Sequence, residues 1–330
     1  MKNLKKGIVV TTTISRESWQ GFDSFRIFNA NISLRLIPEL GCKIAEITDV
    51  VNGYEWLWTD ASRPYRRRSF GDRYDQHDIS GFDECFPNIA AGHHPQIQDG
   101  LLPDHGELWC QPWTVRVEDD VLVTEVSSRL FEYSFCRRIS LSGRTIFLDY
   151  QVHNESLIPL EAFWSAHPLF HAHEGMHIEI TGNPEMTKEF GFSGRMGEDG
   201  LDGYGGHLNR YKWPVTLGAD GKKYDLSQIS FRHPLTDKVV LRSPTDGLVK
   251  LVNPKIGRQL HILFDPVELP YVGICFNLAA WPTEGETGRW VAIEPSNGGT
   301  DRLDEVLALS PLINIKPKAK RRWKLSFSIQ

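Results

Sequence analysis

Three short segments place ionisable side chains beside features that hold a chain still. In Leu102-Pro103-Asp104-His105-Gly106-Glu107-Leu108-Trp109, a proline stiffens the approach to His105, and the glycine after it permits a close or left-handed backbone. In Glu161-Ala162-Phe163-Trp164-Ser165-Ala166-His167-Pro168, an apolar run ends on His167, with a proline behind it. In Trp290-Val291-Ala292-Ile293-Glu294-Pro295, a second apolar run ends on Glu294 in the same fashion. A carboxylate at the end of a buried strand is unfavourable unless it has partners or a task. Imidazoles and carboxylates are also the side chains that move protons near neutral pH. Each residue alone is more often a satisfied structural group. Together they are candidates for general acid–base chemistry.

The elements that must position them are strands. Ile32, Leu34 and Leu36 alternate with Ser33 and Arg35, and Ile146, Leu148, Tyr150 and Val152 alternate with Phe147, Asp149 and Gln151. Met176, Ile178 and Ile180 alternate with His177 and Glu179, and Trp323, Leu325, Phe327 and Ile329 with Lys324, Ser326, Ser328 and Gln330. This period of two is that of half-buried antiparallel strands. Helical periodicity is confined to a short candidate from Asp301 to Leu309, with Thr300 as its N-cap. Pairs such as Asn52-Gly53, Asp246-Gly247 and Asn253-Pro254 punctuate the strands. The chain reads as one all-β unit over residues 1–330, a sandwich or barrel. Two stretches without alternation, about 63–113 and 191–213, read as the walls of a pocket, because long aromatic-containing loops in a compact β fold are usually functional.

Composition excludes several classes. A formal net charge of −5 over 330 residues gives no reason to expect nucleic acid or an anionic membrane as partner. The run Arg66-Arg67-Arg68 reads as a solvated loop. Five dispersed cysteines without a C-x-x-C pair argue against a disulfide framework and a thiolate metal site. The basic N-terminus is not followed by an apolar stretch long enough for a signal peptide, so the cytoplasm is the expected location. His167, His171, His173 and His177, with His93 and His94 elsewhere, raise a metal reading. The spacing lacks the helix on which such pairs bind well, so no metal is expected.

Four motifs in order carry a resemblance: Cys85-Phe86-Pro87, His105-Gly106, His167-Pro168-Leu169-Phe170 and Glu294-Pro295. They resemble the signature segments of the aldose 1-epimerase (galactose mutarotase) superfamily, including its hexose-6-phosphate mutarotase branch. Leu269-Pro270-Tyr271 to Trp281 resembles the approach to that family's last active-site strand, and the likeness runs from about Ser33 to Trp323. It implies a galactose mutarotase-like β-supersandwich, with Glu294 as general base, His167 as general acid and His105 binding the sugar near its ring oxygen. The implied reaction interconverts the α and β anomers of an aldose. A base removes the proton of the C1 hydroxyl, an acid protonates the ring oxygen, and the ring recloses on the other carbonyl face. Only protons move, so no cofactor is implied.

The sequence departs from the sugar-phosphate branch. That branch has R-G-G-x-P before C-F-P, whereas Ile79-Ser80-Gly81-Phe82-Asp83-Glu84 stands here. Asp83 and Glu84 are expected to add two carboxylates to the pocket, which disfavours a phosphorylated substrate. A polyol, neutral sugar or amino sugar fits better, with Arg73 as the candidate replacement cation. Phe82, Trp164 and Trp281 are candidates for stacking on a sugar ring. Asp202, Asp225 and Asp265 are open as the family's sugar-binding aspartate. The expected partner is a small-molecule sugar, with the protein a monomer or homodimer. Two alternatives keep the scaffold: a carbohydrate-binding or regulatory protein without catalysis, and an acid–base lyase or hydrolase.

Overall fold

The computed structural model describes residues 11–94, 96–97, 101–191, 211–218, 220–282, 286–307 and 314–330. The Gly191–Trp213 stretch, with Asp202 and the Gly205-Gly206 pair, falls largely outside them. Two large antiparallel sheets face each other. The first runs, in spatial order, through Thr13–Trp19, Phe22–Phe28, Ile32–Ile37, Lys43–Asp49, Phe82–Cys85, Ser165–His171, Arg289–Ser296, Tyr271–Leu278, Leu235–Arg242 and Met186–Gly191. The second runs through His177–Ile180, Leu248–Asn253, Arg258–Phe264, Lys320–Ile329, Thr145–Asn154, Tyr133–Ser142, Val121–Ser127 and Thr114–Glu118. The all-β expectation holds, and among the described residues the α-helix is the single short segment Leu303–Leu307. No described helix is long and apolar enough to cross a membrane.

The alternation seen in sequence becomes burial. Trp323, Leu325, Phe327 and Ile329 point into the space between the sheets, where one hydrophobic cluster takes side chains from both. Phe327 meets Phe82 and Phe170 of the first sheet edge-on, with ring centroids 5.9 and 6.1 Å away. Burying apolar area at roughly 25 cal/mol per Å² makes this face the main source of stability. The Ile32–Ile37 strand is buried on both faces, because Arg35, on the polar phase, is covered through ion pairs with Glu46 and Glu17 at 2.6 and 3.2 Å.

The stretch 63–113 is not simply a loop. It contributes the Phe82–Cys85 strand to the middle of the first sheet, with short 3₁₀ turns at Tyr74–Gln76 and Leu108–Cys110 beside it. Side chains of consecutive strand residues point to opposite faces. In the first sheet one parity faces the core and the other faces away from the second sheet.

Candidate active site

The away-facing parity brings three sequence candidates into one row. Asp83 pairs in register with His167. The register of the next strand pair, Ser165 with Ser296 and Leu169 with Ala292, sets His167 opposite Glu294. Glu294 in turn pairs with Gly273. Four neighbouring strands thus hold acid, imidazole, acid and a bare backbone side by side.

The two ends of Glu294 differ. Its Oε2 lies 2.6 Å from Lys238 Nζ, and the same ammonium reaches Asp301 Oδ1 at 2.8 Å. Lys238 belongs to the strand beyond Gly273 and leans across it. A Cβ at Gly273 would sit 2.9 Å from Glu294 Oε2 and 3.1 Å from Lys238 Cε. The buried Lys238 is desolvated, but Asp301 and Glu294 outweigh that and hold it well above the usual lysine range. Glu294 Oε1 is buried and accepts no hydrogen bond from any described residue. It points toward His167 Nε2, 3.8 Å away, which exceeds hydrogen-bond reach. A buried acceptor left open is unfavourable by about 1–3 kcal/mol and calls for a reason.

His167 is 7% exposed. Burial, followed by the charges of His105 and Lys238, pushes its pKa well below that of an ordinary histidine, so it is neutral at pH 7. Its Nδ1 lies 3.4 Å from the Tyr74 hydroxyl, which donates to Asp83 Oδ2 at 3.1 Å. Burial and the Asp83 charge keep Tyr74 a phenol. The Tyr74 ring stacks on His105 with centroids 4.1 Å apart and planes 15° apart. His105 in turn meets His167 edge-on at 5.0 Å.

His105 is presented by strained backbone. Its φ is +58° and that of Gly106 is +73°. A side chain at Gly106 would put a Cβ 2.2 Å from the Phe86 carbonyl oxygen, so only glycine fits. Asp104 fixes the turn from both oxygens: Oδ1 lies 2.8 Å from His105 Nδ1, and Oδ2 accepts the Tyr74 N–H at 2.9 Å.

Asp83 faces the site but carries no free charge. Lys43 Nζ lies 2.7 Å from its Oδ2 and Arg68 lies 3.1 Å from its Oδ1, and both cations also hold Asp78. Burial raises the Asp83 carboxyl, yet Arg68 and Lys43 overcome it and leave it below the usual range. The reading of all three arginines 66–68 as solvated is therefore corrected for Arg68, whose side chain is buried.

Other expectations are corrected by strand parity. Glu84, next to Asp83, turns into the core, where Arg137, Tyr150 and Trp164 donate to it at 2.6, 2.9 and 2.7 Å. Phe82 and Trp164 are fully buried between the sheets and offer no face to a sugar. Arg73 is exposed and pairs with Asp75 at 2.6 Å, so it is not a replacement cation in the row. Trp281 shares the sheet face but lies apart, lining a recess of about 220 Å³ with Trp58, Asp60 and Trp290. Asp225 and Asp265 are exposed and away from the row, and Asp202 lies outside the described residues. The acid that joins the site is Asp301. Sequence reading missed it together with Lys238, Tyr74, Lys43 and Arg68. Among the described residues no three His, Cys, Asp or Glu side chains converge as a metal site, and His171 and His173 simply stack at 5.6 Å.

No protein-family model and no curated protein matches the sequence. Solved structures do match in fold. A galactose mutarotase-like protein from Clostridium acetobutylicum aligns with a TM-score of 0.66 at 13% identity, covering 97% of this chain and 98% of that one. A galactose mutarotase-like protein from Lactobacillus casei gives 0.62 at 17%, covering 93% and 100%. Galactose 1-epimerase from Lactobacillus acidophilus gives 0.58 at 12%, covering 97% and 99%. The fold is the galactose mutarotase-like β-sandwich.

Proposed function

We propose that the protein is an aldose 1-epimerase, interconverting the α and β anomers of an aldose by general acid–base ring opening. The observation that carries this reading is Glu294. One carboxylate oxygen is locked on Lys238, and the other is buried, open and directed at the space before His167. A group placed there with a hydroxyl to give and a ring oxygen to receive meets a base on one side and imidazoles on the other. Glu294 Oε1 takes the C1 hydroxyl proton while an imidazole protonates the ring oxygen as the C1–O5 bond breaks. Reversal after the carbonyl turns gives the other anomer. A positioned acid or base of this kind typically contributes about 10²–10⁴-fold.

The substrate class follows from the charges. Lys43, Arg68 and Lys238 are each engaged by carboxylates, which supports a neutral sugar over a phosphorylated one. This replaces the sequence argument from Asp83 and Glu84, since neither is a free pocket charge. The test is anomer exchange of α-D-glucose, α-D-galactose and related aldoses, followed by polarimetry or NMR. Acceleration over the buffer rate supports the reading, and no acceleration with any aldose refutes it. A binding protein without catalysis would hold sugars in the same assay yet leave their exchange rates untouched.

A further inference from the structure

We infer that the recess beside Trp281 is a second sugar subsite, and that the protein acts on the reducing end of an oligosaccharide. The first ring lies in the row of His167 and Glu294, and a later ring of the same chain lies on the tryptophans. This rests on the anomer-exchange reading above and extends it to a longer substrate.

The recess continues the outer face of the first sheet. Glu294 pairs with Gly273, Ala292 with Cys275 and Trp290 with Asn277. Leu169 pairs with Ala292, and His171 with Trp290. These rungs share one parity, so their side chains stand on the face that carries the row. Glu294 and Trp290 are four residues apart on one strand, a separation of about 13 Å at roughly 3.3 Å per residue. A single sugar ring with its C1 at Glu294 stops short of Trp290, and the second or third ring of a chain reaches it. Between the two, the strand pair carries Ala292 and the half-exposed Cys275. One apolar cluster runs from Tyr74 and Trp109, beside the row, through Leu169 and Ala292 to Trp290, with Trp58 and Trp281 packed on it.

The chemistry of the recess selects its occupant. Trp58, Trp281 and Trp290 give it aromatic walls, and Asp60 and Glu286 give it carboxylates. A pyranose has apolar C–H faces and a rim of hydroxyls, which match indole faces and carboxylate acceptors. The recess holds about 220 Å³, below the roughly 300–1,000 Å³ of pockets that enclose a whole drug-sized ligand. It therefore takes one ring of a longer molecule. Aromatic walls with carboxylates also suit an organic cation, but that role is already filled. The Arg63 guanidinium lies 5.1 Å from the Trp281 ring centre, and its Nε is 3.5 Å from Asp60 Oδ2.

The walls are held in place without a ligand. Asn277, fully buried, donates from Nδ2 to the Trp281 carbonyl at 2.8 Å and accepts the Ala280 and Trp281 N–H groups at 3.3 and 3.1 Å. The Gly288 N–H donates to the same carbonyl at 2.8 Å. A Cβ on Gly288 would lie 2.6 Å from Asn277 Nδ2 and 2.8 Å from Trp290 Nε1, so a glycine lets this clamp meet Trp290. Trp58 is fixed independently: its N–H donates to the Leu169 carbonyl at 2.8 Å, and its ring meets His171 edge-on at 5.3 Å. Indoles ordered in advance lose little entropy when a ring stacks on them.

Two measurements test this. The first compares kcat/KM for anomer exchange, followed by NMR, between glucose or galactose and their α-1,4-, β-1,4- and β-1,3-linked reducing trisaccharides. At least one trisaccharide should exceed its monosaccharide by about 3–10-fold or more. Trp281→Ala should lower that ratio about 3–10-fold, and Trp281→Phe, which keeps an aromatic face, should retain most of it. No trisaccharide preference in the wild type, or a ratio unmoved by Trp281→Ala, overturns the proposal. The second is saturation-transfer NMR with the same trisaccharides reduced to alditols at their reducing ends, which cannot exchange anomers. A ring beyond the first should receive saturation from the wild-type protein and lose it in Trp281→Ala. Absence of that contact overturns the subsite, as does binding of choline that Trp281→Ala abolishes while the sugars show none. If the protein accelerates no aldose yet makes the contact, the anomer-exchange reading fails and the sugar subsite stands.

Discussion

Glu84 and Glu294 are both buried carboxylates in the same sheet, and they have opposite lives. Glu84 faces the core, where Arg137, Tyr150 and Trp164 saturate it with three donors. Glu294 faces away from the core, and one of its oxygens has no donor among the described residues. The difference teaches that burial of an acid is not a functional signal. An acid closed on all sides cements the fold, whereas an acid fixed by one oxygen and open at the other is prepared to act. Lys238 makes the second state tolerable, because it neutralises Glu294 without covering Oε1.

The comparison breaks most visibly at Glu84. Glu84→Leu should leave the fully buried Arg137 without its partner and destabilise the fold by about 3–5 kcal/mol, read by urea denaturation. Whatever folds should retain its exchange rate per folded molecule. A mild stability loss with lost activity would contradict the assignment of Glu84 to the core. Lys238→Met should act on the other side: kcat falls roughly 10–100-fold, because Glu294 loses the contact that holds Oε2. Since Asp301 and Glu294 then face each other without a cation, the variant's rate should also fall further at low pH, where Glu294 takes up a proton. An unchanged pH profile would show that Lys238 does not hold the base.

The smallest effect is one of linkage. His167 titrates well below 6.5 in the folded state because of burial and the charges of His105 and Lys238. The unfolded chain therefore binds one more proton at pH values between the folded value and about 6.5, so stability falls as pH drops through that window and levels off below it. His167→Gln should remove that slope, seen as a smaller difference in urea midpoints between pH 7 and 5. An equal difference in both proteins would mean that His167 charges freely in the fold.

Much of the fold and the three central residues were legible in the sequence. Period-two runs such as Trp323 to Ile329 report burial directly, and His105, His167 and Glu294 stand beside glycine or proline at marked backbone positions. Parity at the site was not legible, because residues 63–113 show no alternation: only with Phe82–Cys85 placed as a strand does it follow that the consecutive Asp83 and Glu84 cannot both face one pocket, and that Phe82 and Trp164 turn inward. The partners were not legible. Lys238, Asp301, Tyr74, Lys43 and Arg68 reach the site from separate elements through long-range register. A lysine in an alternating strand looks solvated until the glycine of the neighbouring strand is known to lie beneath it.

On the proposed mechanism, the open oxygen of Glu294 is a base. Glu294→Gln keeps the shape of the side chain and removes the base. Measured by NMR exchange between the anomers of an accepted aldose, with sugar affinity measured in parallel by calorimetry, the variant should lose about 10²–10⁴-fold in kcat and keep its affinity within a few-fold. Loss of binding and rate together, or an unchanged rate, would contradict the claim and return Glu294 to the company of Glu84.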